Sequence, residues 1–240
     1  MMTSTLIKTK NWLQYHPNPK YQKLFLWLKK VRNSDIPTPV IWNKFVLCIL
    51  TLLTALFTSF SRLFIYTPAF KGKLKSCGKN LYLYSGIPFT SGPLTITVGD
   101  NCRISGQTTF TGRVHSKQPT LKIGNNVGIG WQTTIATGSK VIIEDNVRIA
   151  GRAFLFGYSG HPLNARDRAN GMSDTEEQVG EIWIKKDAWL GSNVSVSAGV
   201  TIGEGTVVAT GSVVTKDLPD FVLAAGNPAK VIRSIKDRQN

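Results

Sequence analysis

The sequence predicts a mainly β solenoid of short stacked strands, preceded by a basic helical appendage. Three observations predict it. Aliphatic residues recur every sixth position from about residue 94, positive charge is concentrated before residue 45, and an uncharged run lies between Lys44 and Arg62. The division that follows is an appendage over 1–66, a connecting segment over 67–93 and a solenoid over 94–240, with an irregular loop at 154–183.

The appendage carries much of the charge. Residues 1–44 hold eight Lys and Arg (Lys8, Lys10, Lys20, Lys23, Lys29, Lys30, Arg32 and Lys44) against one acid, Asp35, in a chain of 240 residues with net charge +15. Such a balance calls for an anionic partner: nucleic acid, an acidic membrane surface or a phosphorylated ligand. No RNA- or DNA-binding motif accompanies the charge, so nucleic acid is not the expected partner. In "NPKYQKLFLWLKKVRNSD" (18–35), Asn18 is a suitable N-cap and Pro19 a suitable first helical residue. Tyr21, Leu24, Phe25 and Leu28 follow the spacing of one helix face, leaving most of the lysines elsewhere. That helix either lies on an anionic membrane surface or packs on its own protein with a solvated basic face.

The run "FVLCILTLLTALFTSFS" (45–61) has seventeen residues without a charge, the lower limit for a spanning helix. Its five Ser and Thr residues, Thr51, Thr54, Thr58, Ser59 and Ser61, weaken it. A membrane-lying or re-entrant helix is favoured over a span, with a buried packing helix as the alternative. The basic stretch before the run places it on the cytoplasmic side. A cleaved signal peptide is not expected, because the region ahead of the run is over forty residues long. Cys48, Cys77 and Cys102 are odd in number and widely spaced, which indicates neither a disulfide framework nor a zinc cage.

In the solenoid, every sixth residue reads Ile184, Leu190, Val196, Ile202, Val208 and Val214. An earlier run reads Ile123, Ile129, Ile135, Val141 and Val147, and a third Val98, Ile104 and Phe110. A helix would turn about 600° in six residues and smear these positions around its surface. Short strands separated by turns return one aliphatic residue inward on each side of a coil, and the coils stack about 4.8 Å apart. Gly124-Asn125, Gly191-Ser192 and Gly203-Glu204 are the expected turns.

The rhythm lapses between Val147 and Ile184, where "FGYSGHPLNARDRANGMSDTEEQ" (156–178) intervenes. On the residues alone His161 in this loop is either a surface residue or a proton carrier, since an imidazole with a pKa near 6.5 can accept and return a proton near neutral pH. His16 and His115 are read as structural or surface residues. Asp167, Asp174, Glu176 and Glu177 lie in the same loop, and none is assigned as the partner of His161. No P-loop, GxGxxG pattern or metal-ligand cluster occurs, so no metal is expected.

The ordered motifs "GHP", "AWLGS", "GVTIG", "GSVVTKD" and "AAGNPAKVIR" resemble the hexapeptide-repeat acyltransferases, in the branch of galactoside, maltose and bacterial polysaccharide O-acetyltransferases. The resemblance covers about 94–235 and does not reach residues 1–66. It implies a left-handed parallel β-helix with a short C-terminal helix, a homotrimer, and acetyl-CoA bound between neighbouring subunits as co-substrate. It also implies roles: His161 as base, Trp189 beside the acyl-CoA arm, and the Ser192 backbone N–H at the oxyanion. Thr210, Thr215 and Lys216 match CoA-contacting positions, and Lys230 and Arg233 match basic residues near the nucleotide phosphates. Gln132 stands where sugar acetyltransferases commonly have asparagine, which moves an acceptor-binding amide by one methylene. The expected activity is acetyl transfer to a sugar hydroxyl, with a membrane-associated glycan or its lipid-linked precursor as acceptor. A small-molecule acetyltransferase and a non-catalytic scaffold are the alternatives.

Overall fold

The computed structural model describes residues 2–236, with side chains from residue 5 onward. The chain divides into two units, residues 1–54 and 55–240.

In the first unit, helices α1 (Met2–Tyr15) and α2 (Pro19–Arg32) are joined by a short turn. The Asn18 side chain accepts the Lys20 N–H at 2.9 Å, the N-cap that the sequence predicts. Trp12, His16 and Tyr21 form a ring cluster with centroids 4.4–4.9 Å apart, which gives His16 a packing role. Helix α3 (Val40–Ser61) begins five residues before the uncharged run and crosses from one unit to the next. A π-helical turn (Arg62–Tyr66) and α4 (Thr67–Lys71) extend it without a break. The whole helix, Val40–Lys71, is long and apolar enough to cross a membrane. At its end Phe70 is fully buried and packs 6.4 Å from the Phe110 ring, closing the open end of the solenoid core.

The second unit is a parallel β solenoid with three faces and six coils. The coils are β1 (Ser76–Cys77), β2 (Tyr82–Tyr84) and β3 (Phe89–Ser91); β4 (Thr95–Val98), β5 (Arg103–Ser105) and β6 (Thr109–Gly112); β7 (Thr120–Ile123), β8 (Gly128–Ile129) and β9 (Thr134–Thr137). They continue with β10 (Lys140–Ile143), β11 (Arg148–Ile149) and β12 (Phe154–Phe156); β13 (Ile182–Ile184), β14 (Trp189–Leu190) and β15 (Ser195–Ser197); β16 (Thr201–Ile202), β17 (Val207–Val208) and β18 (Val213–Val214). The first strand of each coil joins sheet A, the second sheet B and the third sheet C. The solenoid therefore starts earlier than expected, its first coil lying inside the segment read as a connection. The chain then adds β19 (Val222–Gly226) to sheet B and turns back antiparallel as β20 (Ala229–Ser234). Among the described residues this hairpin stands where a short C-terminal helix is expected, and residues 237–240 lie outside the described part.

The aliphatic rhythm becomes three inward columns. Val98, Ile123, Ile143, Ile184 and Ile202 are successive register partners in sheet A. Ile104, Ile129, Ile149, Leu190 and Val208 are partners in sheet B. Phe110, Ile135, Leu155, Val196 and Val214 are partners in sheet C. The columns correct the sequence reading at two positions. After Ile135 the ladder continues at Ile143 and Ile149, two residues beyond Val141 and Val147, because Gly138 and Ser139 lengthen one corner. Val141 and Val147 are buried nonetheless, since each side of a coil turns two alternate residues inward.

The turns also lie one residue later than expected. The second residue of each corner is in the left-handed region: Asn126, Asn193 and Gly205 at φ 52°, 57° and 62°. The preceding glycines serve space instead. A Cβ on Gly191 would lie 2.7 Å from the Thr210 nitrogen of the next coil. Gly191→Ala is expected to cost about 1–3 kcal/mol by forcing two coils apart, measurable as a lower midpoint in urea without loss of the β signature. At the corner between sheets A and B, side-chain amides form a second ladder. Asn126 donates to Asn146 at 2.8 Å, and Asn146 donates to Asp187 at 2.8 Å.

Candidate active site

Three edges separate the faces of the solenoid, and departures from the six-residue step gather at the edge between sheets C and A. Phe110 and Ile123, at consecutive ladder positions, enclose one insertion, Ile135 and Ile143 a second, and Leu155 and Ile184 the largest. The last is the loop that carries His161. Its irregular part is residues 157–181, because Phe154–Phe156 and Ile182–Ile184 are strands.

The loop is anchored by a buried ion pair. Arg113 follows β6 at the C–A edge, and its Nε donates to Asp174 Oδ1 at 2.8 Å with both side chains only 3% exposed. Arg113 also donates to the Asp174 carbonyl at 3.0 Å and to Glu176 at 2.6 Å. Burial pushes the guanidinium pKa down, but the hydrogen bonds and charges of Asp174 and Glu176 outweigh this and raise it above its ordinary value. The second Asp174 oxygen accepts the Gly160 N–H at 3.1 Å, so the ion pair holds the backbone directly before His161.

The rest of the peptide around His161 is fixed just as closely. Its carbonyl accepts from Ser159 Oγ at 2.8 Å and from Gln178 Nε2 at 3.0 Å. The Pro162 and Leu163 carbonyls accept from Arg168, on the short helix α5 (Ala165–Ala169) capped by Asn164. The imidazole is exposed, and none of the described side chains hydrogen-bonds it. Asp174 is thus a partner of the loop backbone, two links away from the imidazole. Sequence reasoning grouped it with three other acids and missed Arg113, whose one distinguishing sign is its place at the end of a buried strand.

The other predicted positions fall on two regions. Trp189 projects outward from sheet B, 53% exposed. At the corner after sheet B, the hydrogen bonds Arg152 N to Trp131 O, Asn193 N to Gly151 O and Gly211 N to Ser192 O stack successive coils. This B–C edge therefore carries Gln132, Ser192 and Thr210. Gln132 is held at φ 56°, and its Oε1 accepts from Arg152 Nε at 3.2 Å. Lys230 and Arg233 are exposed on β20, at the last edge of sheet B. Thr215 and Lys216 follow β18 at the C–A edge, the edge that bears the His161 loop. One chain thus places His161, Thr215 and Lys216 on one edge, and Gln132, Ser192, Thr210 and Trp189 on another edge and its adjoining face. Among the described residues no group of three His, Cys, Asp or Glu side chains is placed to hold a metal ion.

Residues 181–216 match the bacterial transferase hexapeptide family, described by six repeats. Over 142 residues the chain is 39% identical to galactoside O-acetyltransferase of Escherichia coli K12, covering 59% of this chain and 65% of that protein. Over 120 residues it is 42% identical to polysialic acid O-acetyltransferase of Escherichia coli O1:K1, covering 46% and 37%. The chain thus spans less than two-thirds of the length of these curated relatives. Among solved structures, AntD, an N-acyltransferase from Bacillus cereus in complex with dTDP and 3-hydroxybutyryl-CoA, matches 72% of this chain and 89% of its own. The TM-score is 0.56 at 22% identity, a likeness of fold. Residues 181–216 thus carry the transferase hexapeptide repeat that the register of the strands displays, and the chain is similar to galactoside O-acetyltransferase over 59% of its length.

Proposed function

We propose that this protein is an acetyl-CoA-dependent O-acetyltransferase that acetylates a sugar hydroxyl of a cell-surface polysaccharide or its lipid-linked precursor. The observation that carries the reading is the anchored loop: an exposed imidazole on a backbone fixed on both sides, at the one edge where the solenoid is interrupted. In the proposed reaction His161 takes the proton of the acceptor hydroxyl as the oxygen attacks the thioester carbonyl. The Ser192 backbone N–H stabilises the oxyanion. The C–S bond then breaks, an ester is left on the sugar, and the imidazolium returns its proton to the CoA thiolate.

The donor site suits a long, anionic molecule. Trp189 offers an exposed aromatic face to its acyl arm, Thr210, Thr215 and Lys216 line its course, and Lys230 and Arg233, which have no acidic partner among the described residues, put two cations near its phosphates. Gln132 is assigned to the acceptor. Because these groups sit on different edges of one chain, the site is completed by a neighbouring copy in a trimer of left-handed β-helices. We read the enzyme as lying at the cytoplasmic face of the membrane, a reading that the basic first unit and the long apolar helix support. The E. coli relatives, a galactoside and a polysialic acid O-acetyltransferase by name, support a sugar acceptor.

The test is mass spectrometry of the host's surface glycans with and without the protein, paired with thiol release from acetyl-CoA by the purified full chain. The expected result is the loss of one acetyl group per modified sugar when the protein is absent. Unchanged glycans together with no glycan-dependent thiol release would refute it.

A further inference from the structure

The mechanism uses only the last member, Trp189, of a row of residues on the outer face of sheet B. Tyr82, Arg103, Gly128, Arg148 and Trp189 are successive register partners in β2, β5, β8, β11 and β14. At the coil spacing of about 4.8 Å the row is about 19 Å long. It begins at the apolar helix and ends at Trp189.

The helix end of the row is built around cations. Arg62 is the only charged residue between Phe45 and Phe70. Its guanidinium lies 4.5 Å from the centre of the Tyr82 ring, and that of Arg103 lies 5.6 Å from the same ring. Neither has an acidic partner among the described residues. Beside them is a recess of about 430 Å³ lined by Ser59, Arg62, Tyr66, Tyr82, Tyr84 and Ser85. Thr58, Ser59, Arg62 and Tyr66 line it from a helix whose large apolar residues here, Leu56, Phe57, Phe60, Leu63, Phe64 and Ile65, are each more than half exposed. An apolar surface of this extent does not stay in water. Two uncompensated guanidiniums at its margin match a dianion presented at the surface of an apolar phase.

Further along, Gly128 leaves the row open. A recess of about 410 Å³ lies there, lined by Asn101, Arg103, Arg148 and Trp189 among others. A Cβ on Gly128 would lie 3.3 Å from Arg148 Cδ, so the glycine gives the arginine room to fold down onto the Asn126 carbonyl.

We propose that Arg62 and Arg103, with the hydroxyls around them, bind the dianionic phosphate moiety of a membrane lipid, either a terminal monoester or a diphosphate bridge to a polar group, with the lipid tail against the apolar helix, and that the row over Gly128 carries a polar group attached through the diphosphate toward Trp189. The second half rests on the acetyl-transfer reading, whereas the phosphate site does not.

The test uses the full chain with phosphatidylcholine vesicles, alone or containing a small fraction of a polyisoprenyl phosphate or, at equal charge, phosphatidylglycerol. Polyisoprenyl phosphate is expected to tighten binding about tenfold or more over pure phosphatidylcholine, and phosphatidylglycerol much less. Arg62→Gln with Arg103→Gln should abolish that increment, and Arg62→Lys with Arg103→Lys should retain most of it; equal melting temperatures exclude misfolding. An increment that survives in the glutamine variant overturns the site. So does an equal increment from phosphatidylglycerol, or its removal by inorganic phosphate at matched concentration, which would indicate bulk charge or a free-anion site. Binding is measured without acetyl-CoA. Its failure is therefore separable from a failure of acetyl transfer, which is read on a soluble glycan.

Discussion

His161→Ala is expected to lower acetyl-CoA-dependent turnover by about 10²–10⁴-fold, the range for removing a positioned general base. The Michaelis constant for acetyl-CoA should stay within a few-fold, since the donor contacts assigned to Trp189, Thr210 and Lys216 remain. Stability should not change. The imidazole is exposed and unbonded, and the loop is held through the backbone of residues 160–163, which alanine preserves. Thiol release on the acetylated glycan's precursor, with a thermal melt beside it, checks both halves. Full turnover in the variant would remove His161 from the chemistry and leave the solenoid reading untouched.

Arg113→Ala is expected to be the most destabilising single change in the loop and its anchor. It leaves the Asp174 carboxylate, 3% exposed, without its counter-charge. Breaking a buried pair from one side costs about 3–5 kcal/mol, roughly a 10 °C fall in melting temperature for a chain of this size. Replacing both partners, Arg113→Met with Asp174→Leu, should cost less than Arg113→Ala alone, because no buried charge is then left unpaired. Asp174→Asn should fall between, as an amide oxygen can still accept the Gly160 N–H. Limited proteolysis within 157–181 provides an independent readout. A double variant no more stable than the single one would show that the pair is not what holds the loop.

The ladder was legible in the sequence because its signal is redundant. Each side of a coil buries two alternate residues, so a reading that slips by two, as it does at Val141 and Val147, still lands on inward aliphatics. The same redundancy concealed the slip. The first coil was hidden because Leu81 and Leu83 carry only a short stretch of pattern among Lys, Asn and Tyr. His161 is singled out by its motif alone, and its role as base is proposed on that motif and on the anchored loop. The Arg113–Asp174 pair joins positions 61 residues apart with no periodic relation, and nothing local marks it. The row from Tyr82 to Trp189 was equally hidden, because its members line up only once the lengths of the intervening insertions are known.

Those insertions have a further consequence. From Ile184 to Val214 the chain keeps a strict step of six, and the longest additions elsewhere emerge at the C–A edge. From the second coil onward the solenoid thus separates two tasks in space: two edges count residues, and the third accepts chain of varying length without altering the count. Segment 157–181 is then a cassette carried on a fixed chassis, to which its anchor Arg113 belongs. Under the proposed activity, exchanging that cassette whole is expected to change acceptor preference, provided that its counterpart of Asp174 still finds Arg113.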